Sequence, residues 1–288
     1  MRTIRTIAEL RAALDGPRRD GETIGLVPTM GAFHDGHLAL MAAARASCDV
    51  VVVSLFVNPT QFDESSDLEA YPRDESRDAE LAAGAGVDLL FAPSASEVYP
   101  PGFATAVTVG GVSEPLEGAE RGASHFSGVA TVVVKLLGMV GPQVAFFGQK
   151  DAQQALVVRR VVRDLDLPVR IDIVPTVREP GGLALSSRNA HLSAGERGRA
   201  IALSSALRAA ETTVAAGEID AGRVLARARQ AMDAHDVEPE YLELVSPENL
   251  APVPRLDGPA LLAVAARVGT TRLIDNTTLH PSQNGRSH

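Results

Sequence analysis

The sequence predicts a doubly wound, parallel α/β domain followed by a smaller α+β domain. The run "DVVVVSLFV" is apolar and β-branched throughout, as expected for a central parallel strand covered on both faces. Strand and helix patterns alternate up to about residue 176, which is typical of crossover units on one sheet. Beyond that point, helices are followed by short strands and turns. We therefore predict one domain over 1–176 and a second over 177–288.

The first elements follow from apolar spacing. A helix is predicted over 3–15, and the turn residues of "GPRRDGE" end it. Its apolar positions are Ile4, Ile7, Leu10 and Leu14. "TIGLVPT" then predicts a short buried strand, 36–47 a helix, and "DVVVVSLFV" the next strand.

The alternation continues through the rest of the first domain. Helices are predicted over 74–85 and in "GVATVVVKLLGMV" and "DAQQALVVRRVVRDL", with a Gly/Pro-rich loop before the second of them. Strands are predicted in "VDLLFAP", "QVAFFGQ" and "VRIDIVPTV". Ligands of such sheets bind at the carboxyl ends of the strands.

The second domain is predicted from helices over 194–215 and 219–235 and from three strand-like segments. These segments, "YLELV", "ALLAVAARV" and "RLIDN", suggest a short antiparallel sheet. The polar tail 281–288 is expected to fray.

Composition limits the possible partners. The chain has 288 residues, 45% hydrophobic and 22% charged, as in ordinary soluble proteins. A net charge of -9 provides no positive field for nucleic acid or an anionic membrane, so neither is an expected partner. One cysteine, Cys48, excludes an internal disulfide and a multi-cysteine zinc site. The first twenty residues lack the apolar stretch of a signal peptide, and a cytoplasmic location is predicted.

The segment "PTMGAFHDGHLAL" follows the second predicted strand and holds two histidines, His34 and His37. Gly31 permits a tight turn, and Gly36 opens a helix whose N-terminus favours anions. The histidines would then donate hydrogen bonds to a phosphate, although no Walker GK[ST] is present. Spacing alone leaves capping or surface histidines and a zinc pair open as alternatives, but zinc needs more ligands than this segment supplies.

The segment "FVNPTQFDESSDLEAYPRD" follows the central strand and carries Asn58, Gln61 and Tyr71. Amides in this position are suited to holding a small polar ligand by neutral hydrogen bonds. A simple Asn-Pro turn explains the same residues equally well.

Three further segments place polar residues at the ends of predicted elements. Arg121, in "LEGAERGASHF", suits a carboxylate or phosphate but is also an ordinary loop cation. In "FFGQKDAQQ", Lys150 can reach phosphate oxygens, while Asp151 can bind a ribose or Mg²⁺ or simply cap a helix. In "LALSSRNAH", two serines and an arginine form a cluster of phosphate donors, and either serine can instead be a cap.

Together these segments resemble the pantothenate synthetase (pantoate–β-alanine ligase) family over nearly the whole chain. The family patterns are PTMGALHxGH, FVNPxQF, YPR, LEGxxRPGHFxGV, FFGxKDxQQ and SSRN. They are matched in the family's order by 28–37, 56–62, 71–73, 116–129, 146–154 and 186–189. "YLELV" and "VGTTRLIDN" are similar to the family as well.

The resemblance implies a class I aminoacyl-tRNA synthetase-like nucleotidyltransferase, with "HDGH" as its HIGH element and "LSSR" as its KMSKS-like element. It implies a Rossmann-like catalytic domain that binds ATP and pantoate, and a C-terminal lid carrying SSRN. The implied reaction joins (R)-pantoate to β-alanine through pantoyl adenylate and releases AMP and pyrophosphate. Mg²⁺ would arrive on the ATP phosphates, and a homodimer is expected.

The resemblance also assigns residues. The catalytic set is His34, His37, Lys150, Ser186, Ser187 and Arg188, with His37 as proton donor and Lys150 stabilising the transition state. The other ATP contacts are Met30, Gly31, Ala32, Phe33, Asp35, Gly36, Gly148, Gln149, Asp151, Val177 and Leu185. The substrate contacts are Asn58, Gln61, Tyr71, Arg121, Val132, Val133 and Gln154.

Two departures from the family pattern are visible. Three residues separate Arg121 from His125 where the family has two, which alters the position of Arg121, a candidate for the β-alanine carboxylate. Ala152 replaces a residue that is often tyrosine in the family, a change expected to affect packing more than chemistry.

The sequence argues against two other functions. A nucleotidyltransferase with a phosphorylated acceptor would need more cations than the amide-rich segments offer. A non-catalytic nucleotide-binding protein would not need both histidines, Lys150 and the "SSR" cluster together.

Overall fold

The computed structural model describes residues 1–62, 71 and 73–281. Pro72 of the YPR match and the tail from 282 onward lie outside the described residues. The chain forms two compact units, one of Met1–Gln149 with Gln153–Pro175 and the other of Lys150–Ala152 with Thr176–His288. The catalytic and lid roles of the two predicted domains stay predictions. Within the described ranges, no helix combines the length and apolar character needed to span a bilayer.

The first unit contains a six-stranded, fully parallel sheet, as predicted. Its strands are β1 (Arg2–Ile4), β2 (Ile24–Thr29), β3 (Val50–Leu55), β4 (Leu89–Phe91), β5 (Val144–Gly148) and β6 (Arg170–Val174). They lie in the order β1-β4-β3-β2-β5-β6. The winding direction reverses between β2 and β5, and the carboxyl ends on either side of such a reversal are where doubly wound sheets bind ligands.

Helices cover both faces of this sheet. They are α1 (Ile7–Arg19), α2 (Asp35–Ser47), α3 (Glu75–Gly84), α4 (Ala95–Val98), α5 (Glu117–Val140) and α6 (Ala152–Asp164). Leu26 and Val52 pack with α1 and α5, whereas Val27 and Val53 pack with α2 and α3. Successive strand residues point to opposite faces, so apolar cover on both sides requires the continuous apolar runs seen in the sequence.

The start of the chain differs from the prediction. Ile4 belongs to β1, an edge strand paired with β4, and not to the first helix. Helix α1 runs through Gly16 and Pro17, where the sequence predicted a turn. Because Pro17 lies in the last turn, its missing N–H removes one bond close to the helix end.

The start of α5 also differs from the prediction. Residues 117–127 were expected to form a loop before a helix, yet the helix already begins at Glu117. Gly122 interrupts it with φ 77° and ψ 167°, so two helical pieces meet at a kink. The first piece is polar and contains glycines, so the sequence shows no apolar helical period there. Tertiary packing can stabilise a helix despite such weak propensity.

The second unit has the predicted α+β architecture. Helices α7 (Ala194–Ala215) and α8 (Ala221–Asp233) pack on an antiparallel sheet. Its strands are β7 (Pro239–Val245), β8 (Ala260–Val268) and β9 (Thr271–Leu279), in that order. Ser193 and Glu196 form a capping box that begins α7 where the sequence predicts it.

Helix α5 approaches the Pro59–Gln61 turn so closely that only glycine fits at one position. A Cβ on Gly128 would lie 2.3 Å from the Thr60 carbonyl oxygen and 2.9 Å from the Gln61 nitrogen. Asn58 Nδ2 donates to the Gly128 carbonyl at 3.2 Å across this contact. Gly128 therefore sets the spacing between α5 and the turn that carries Gln61.

We predict that Gly128→Ala destabilises the protein by about 1–3 kcal/mol, because the methyl group forces the turn away from α5. Gly138→Ala is the matched control, since this position in the same helix has nothing within 4 Å of an added Cβ. The control should gain about 0.5–1 kcal/mol from helix propensity. Urea unfolding measures both values, and equal effects of the two substitutions would contradict the close approach.

Candidate active site

The two histidines of the HDGH segment cap helix α2 at the carboxyl end of β2. His34 is the N-cap residue, and its Nδ1 accepts a hydrogen bond from the Gly36 N–H at 3.1 Å. The His34 N–H points at His37 Nδ1 at 3.4 Å. The ring centroids are 4.2 Å apart. The capping alternative is thus present, and it fixes both rings at a positive helix end.

These contacts determine which ring nitrogen carries the proton. An Nδ1 that accepts from a backbone N–H holds a lone pair, so the proton of the neutral imidazole resides on Nε2. Nε2 is therefore the donor atom of His34 and of His37. Capping and phosphate binding are compatible, since they use opposite nitrogens of each ring.

The turn before the histidines is held by a buried carboxylate that the sequence did not single out. Asp78 of α3 is 2% exposed, and its two oxygens accept from Ala32 N at 2.8 Å and Phe33 N at 2.7 Å. Gly31 has φ 90° and Ala32 φ 54°. A Cβ on Gly31 would lie 2.9 Å from Asp78 Oδ2. Asp78 therefore offsets the strain of a left-handed alanine.

Asn58 orients Gln61 by a direct hydrogen bond, and its own contact with substrate stays a prediction. Its side chain is buried, and its Nδ2 donates to Gln61 Oε1 at 3.1 Å. Its Oδ1 accepts from the Thr60 hydroxyl and from Tyr99 OH at 2.8 Å. Gln61 Nε2 in turn points at Met30 Sδ at 3.0 Å. The amide of Gln61 is thus oriented with its nitrogen toward Met30.

Tyr99 belongs to this network although it had no predicted role. Burial raises the pKa of its phenol, so the group stays protonated and donates to Asn58. His125 Nδ1 lies 3.0 Å from the Gln61 carbonyl oxygen on the other side of the turn. Sequence spacing could not predict that Tyr99 and His125 lie near Gln61, because these contacts join segments that are far apart in the chain.

The remaining predicted substrate residues of the first unit lie on α5, on α6 and beside Phe62. Val132 and Val133 are buried in α5. Arg121 pairs with Glu117 one turn earlier at 2.9 Å. Gln154 is half-buried at the start of α6. The Tyr71 ring meets the Phe62 ring edge-on at 5.8 Å.

Gln153, next to Gln154, is a structural residue. Its Oε1 accepts from Glu117 N at 3.0 Å, and its Nε2 donates to the carbonyl oxygens of Val112 and Pro115. Its amide therefore holds the turn that starts α5. The two glutamines of the "QQ" pair have different environments, which the sequence alone does not reveal.

In the second unit, Lys150 and Asp151 lie in the 3-10 turn Gln149–Asp151 that follows Gly148. Lys150 Nζ is 3.8 Å from Asp151 Oδ1, and its side chain is largely buried. Asp151 is exposed. The two residues can present a cation and an acceptor side by side.

The Ser186–Arg188 segment begins a second 3-10 turn. Ser186 caps it, because its hydroxyl accepts from Arg188 N at 3.3 Å. Before the turn, the Leu185 N–H donates to the Val177 carbonyl at 2.9 Å, so these two predicted ATP contacts are paired. The serine-cap alternative is therefore present alongside any phosphate role.

Asn189, within this turn, links it to neighbouring segments by hydrogen bonds. It is buried, and its Nδ2 donates to Glu179 Oε1 at 3.2 Å and to the Ala184 carbonyl at 3.0 Å. Arg197 from α7 bridges Glu179 and the Asn189 carbonyl. The asparagine of "SSRN" was visible as part of the motif, but its partners were not.

Within each unit, the structure brings several of the predicted residues into contact. In the first unit, Met30, Asn58 and Gln61 are in contact, and Phe33, His34 and His37 form a second contact group. In the second unit, the contacts join Lys150 to Asp151, Val177 to Leu185, and Ser186 to Arg188. Across the described part of the chain, no three His, Cys, Asp or Glu side chains gather as metal ligands.

A doubly wound parallel sheet with donors at a helix N-terminus beside its reversal point defines a nucleotide-binding α/β protein. A family model described as pantoate-beta-alanine ligase matches residues 2–278. Pantothenate synthetase 1 of Bradyrhizobium diazoefficiens is 54% identical over 281 residues, covering 97% of this chain and 98% of that protein. The chain belongs to the pantoate-beta-alanine ligase family.

Solved structures agree with this assignment. The crystal structure of pantothenate synthetase from Thermus thermophilus superposes with a TM-score of 0.92 at 50% identity, covering 98% of this chain and 100% of that one. The Francisella tularensis pantoate-beta-alanine ligase, complexed with beta-gamma ATP and beta-alanine, has a TM-score of 0.78 at 32% identity and covers 96% of this chain and 97% of that one. The family assignment sets aside the non-catalytic alternative and the phosphorylated acceptor.

We predict that Asp78→Asn lowers the rate of the first chemical step by about 10- to 100-fold, because a displaced turn moves the histidine donors. The amide nitrogen would face one backbone N–H, at a cost of about 1–3 kcal/mol in stability. Asp74→Asn is the matched control, since Asp74 caps the same helix through Arg77 N and asparagine caps equally well.

Pyrophosphate release and thermal melting of both variants measure these effects. Wild-type turnover in Asp78→Asn would contradict the positioning role of this carboxylate. An equal loss of pyrophosphate release in Asp74→Asn would mean that removing a negative charge from α3, and not displacing the turn, lowers the rate.

Proposed function

We propose how the described side chains divide the work of this ligase. The chain condenses (R)-pantoate with β-alanine to pantothenate through pantoyl adenylate, releasing AMP and pyrophosphate. In the first step, the pantoate carboxylate attacks the α-phosphorus of ATP. In the second, the β-alanine amine displaces AMP. The ATP and β-alanine complex of the Francisella tularensis relative supports these as substrates.

The observation that carries the assignment of roles is the position of His34 and His37. They stand at the N-terminus of α2 with Nδ1 bound to the backbone, so each presents an Nε2–H donor at a positive helix end. Attack on phosphorus builds negative charge on the phosphate oxygens. Donors that are already fixed stabilise this charge without reorganising. We assign both histidines to the phosphates of ATP, with His37 as proton donor.

The second unit supplies the other phosphate donors in this proposal. Lys150 neutralises charge that develops in the pentacoordinate transition state, and Ser186, Ser187 and Arg188 hold the outer phosphates. Asp151 and Gly148, with the backbone at Val177 and Leu185, face the nucleoside. The capping hydrogen bond of Ser186 supports this assignment, because it orders the start of the turn.

Gln61 is proposed to bind pantoate through Nε2, which exchanges its contact with Met30 Sδ for the substrate while Oε1 stays bound to Asn58. Met30, Val132 and Val133 provide an apolar wall for the gem-dimethyl group of pantoate, and Gln154 adds a second amide. Asn58 orients Gln61 in this proposal, and its own contact with substrate stays a prediction. Arg121 remains the candidate that binds the β-alanine carboxylate. In this role it must give up its ion pair with Glu117 and pair with the substrate instead.

Mg²⁺ is proposed to bind with ATP. Mg²⁺ dehydrates reluctantly, so an ion that binds with a nucleotide keeps phosphate and water ligands. Asp151 and the hydroxyls of Ser186 and Ser187 are the oxygen donors suited to it. When bound, the ion neutralises phosphate charge.

A cytoplasmic homodimer is proposed. The buried, unpaired thiol of Cys48 fits a reducing compartment. Light scattering should give about twice the mass of the 30.2 kDa chain, and a single-chain mass would contradict the dimer.

The experiment that tests the roles follows the two steps separately. Wild-type protein should release pyrophosphate from ATP on addition of pantoate, and AMP on later addition of β-alanine. His37→Ala should lose about 10²–10³-fold in pyrophosphate release with a preserved melting transition, because one fixed donor is missing.

His235→Ala, in the turn after α8, is the control and should keep full activity. Wild-type turnover of His37→Ala would contradict the role given to this histidine. Pyrophosphate release without later AMP release on adding β-alanine would place the defect in the second step.

A further inference from the structure

Strand β9 carries a buried polar pair that the sequence showed only as part of "RLIDN". Asp275 is 3% exposed and Asn276 is 5% exposed. Neighbouring residues on a strand point to opposite faces, so the two side chains leave β9 in different directions. Polar side chains at such depth are retained where they form specific hydrogen bonds.

Asn276 reaches the main chain of Lys150. Its Nδ2 donates to the Lys150 carbonyl oxygen at 2.8 Å, across 126 positions of sequence. Lys150–Ala152 belong to the second unit, although the residues on either side of them belong to the first. This hydrogen bond thus ties the short lysine turn to the C-terminal sheet.

The backbone of Asn276 is held by further contacts. Its backbone N–H donates to Asp275 Oδ1 at 2.8 Å, and its backbone pairs with Ala263 in the β8–β9 ladder. Asp275 also forms a two-pronged ion pair with Arg178, with a distance of 3.0 Å between Nη2 and Oδ1. Arg178 lies in the hairpin that leads to Ser186, and β9 also contacts the Ser187–His191 turn.

We propose that Asn276 is a positioning residue for adenylyl transfer, acting through the main chain of Lys150. The inference rests on the role proposed above for Lys150. Because the carbonyl of residue 150 is fixed, the lysine side chain can extend from the backbone in only a limited range of directions. Because electrostatic stabilisation depends on placement, a shift of about 1 Å in the ammonium group costs up to about 100-fold in rate.

The test is a double-mutant cycle between Asn276→Ala and Lys150→Ala, read as kcat for pyrophosphate release with ATP and pantoate. Lys150→Ala keeps the carbonyl that Asn276 binds, so any loss of stability from Asn276→Ala is the same in both backgrounds. Catalytic loss is not the same, because the ammonium group is absent from one of them.

We expect Asn276→Ala to lower kcat by about 10- to 100-fold in the wild-type background, with KM for pantoate changed less than about twofold. In the Lys150→Ala background it should change kcat by less than about twofold. Thr277→Val is the matched control, since Thr277 is the next residue on β9 and its hydroxyl donates to Glu211 at 2.6 Å. The control should retain the wild-type kcat.

Equal fold-losses in both backgrounds would overturn the proposal, because Asn276 would then act on stability alone. Wild-type kcat in Asn276→Ala would also overturn it while leaving the role of Lys150 intact. Wild-type kcat in Lys150→Ala would refute the lysine assignment itself. If Asn276→Ala does not fold at the assay temperature, Asn276→Leu, which is similar in size and lacks the amide, takes its place in the cycle.

Discussion

The hydrogen bonds from the Ala32 and Phe33 N–H groups to Asp78 are the constraint on which the proposed chemistry of the first unit depends. They hold the turn between β2 and α2 in a left-handed conformation that an alanine adopts only at a cost. The turn places His34 at the N-cap of α2, where its Nδ1 accepts from the backbone and the ring proton resides on Nε2. The buried Asp78 carboxylate therefore stabilises the strained turn, and through the turn it fixes where α2 begins and where the histidine donors lie.

Buried hydrogen bonds also support three other candidate positions. Gln61 is oriented by Asn58 and Tyr99, the Ser186–Arg188 turn by Asn189, and Lys150 by Asn276. In each case a buried side chain forms hydrogen bonds to a residue that is expected to contact substrate, or to the segment that carries it. Adenylyl transfer needs fixed donors more than it needs strong bases, and a scaffold of buried hydrogen bonds is what keeps donors fixed.

The fold was largely predictable from sequence, and the roles of the candidate residues stay predictions. The buried hydrogen bonds that hold these residues could not be predicted. Apolar runs such as "DVVVVSLFV" predict the parallel sheet because burial on both faces leaves no polar alternation. The helical start of α5 escaped prediction because glycines and polar residues mask its period. Asp78 and Asn276 escaped because their partners lie 45 and 126 positions away. Local spacing carries no information about contacts of that range.

The measurement that tests this account most directly is the tautomeric state of His34 and His37. Two-dimensional ¹⁵N NMR of histidine-labelled protein distinguishes an Nδ1 that bears a proton from one that bears a lone pair. Spectra of His34→Gln and His37→Gln variants would assign the two rings. The capped geometry predicts the Nε2–H tautomer for both histidines at neutral pH. An Nδ1–H tautomer at either position would contradict it, because that nitrogen could not accept from the backbone.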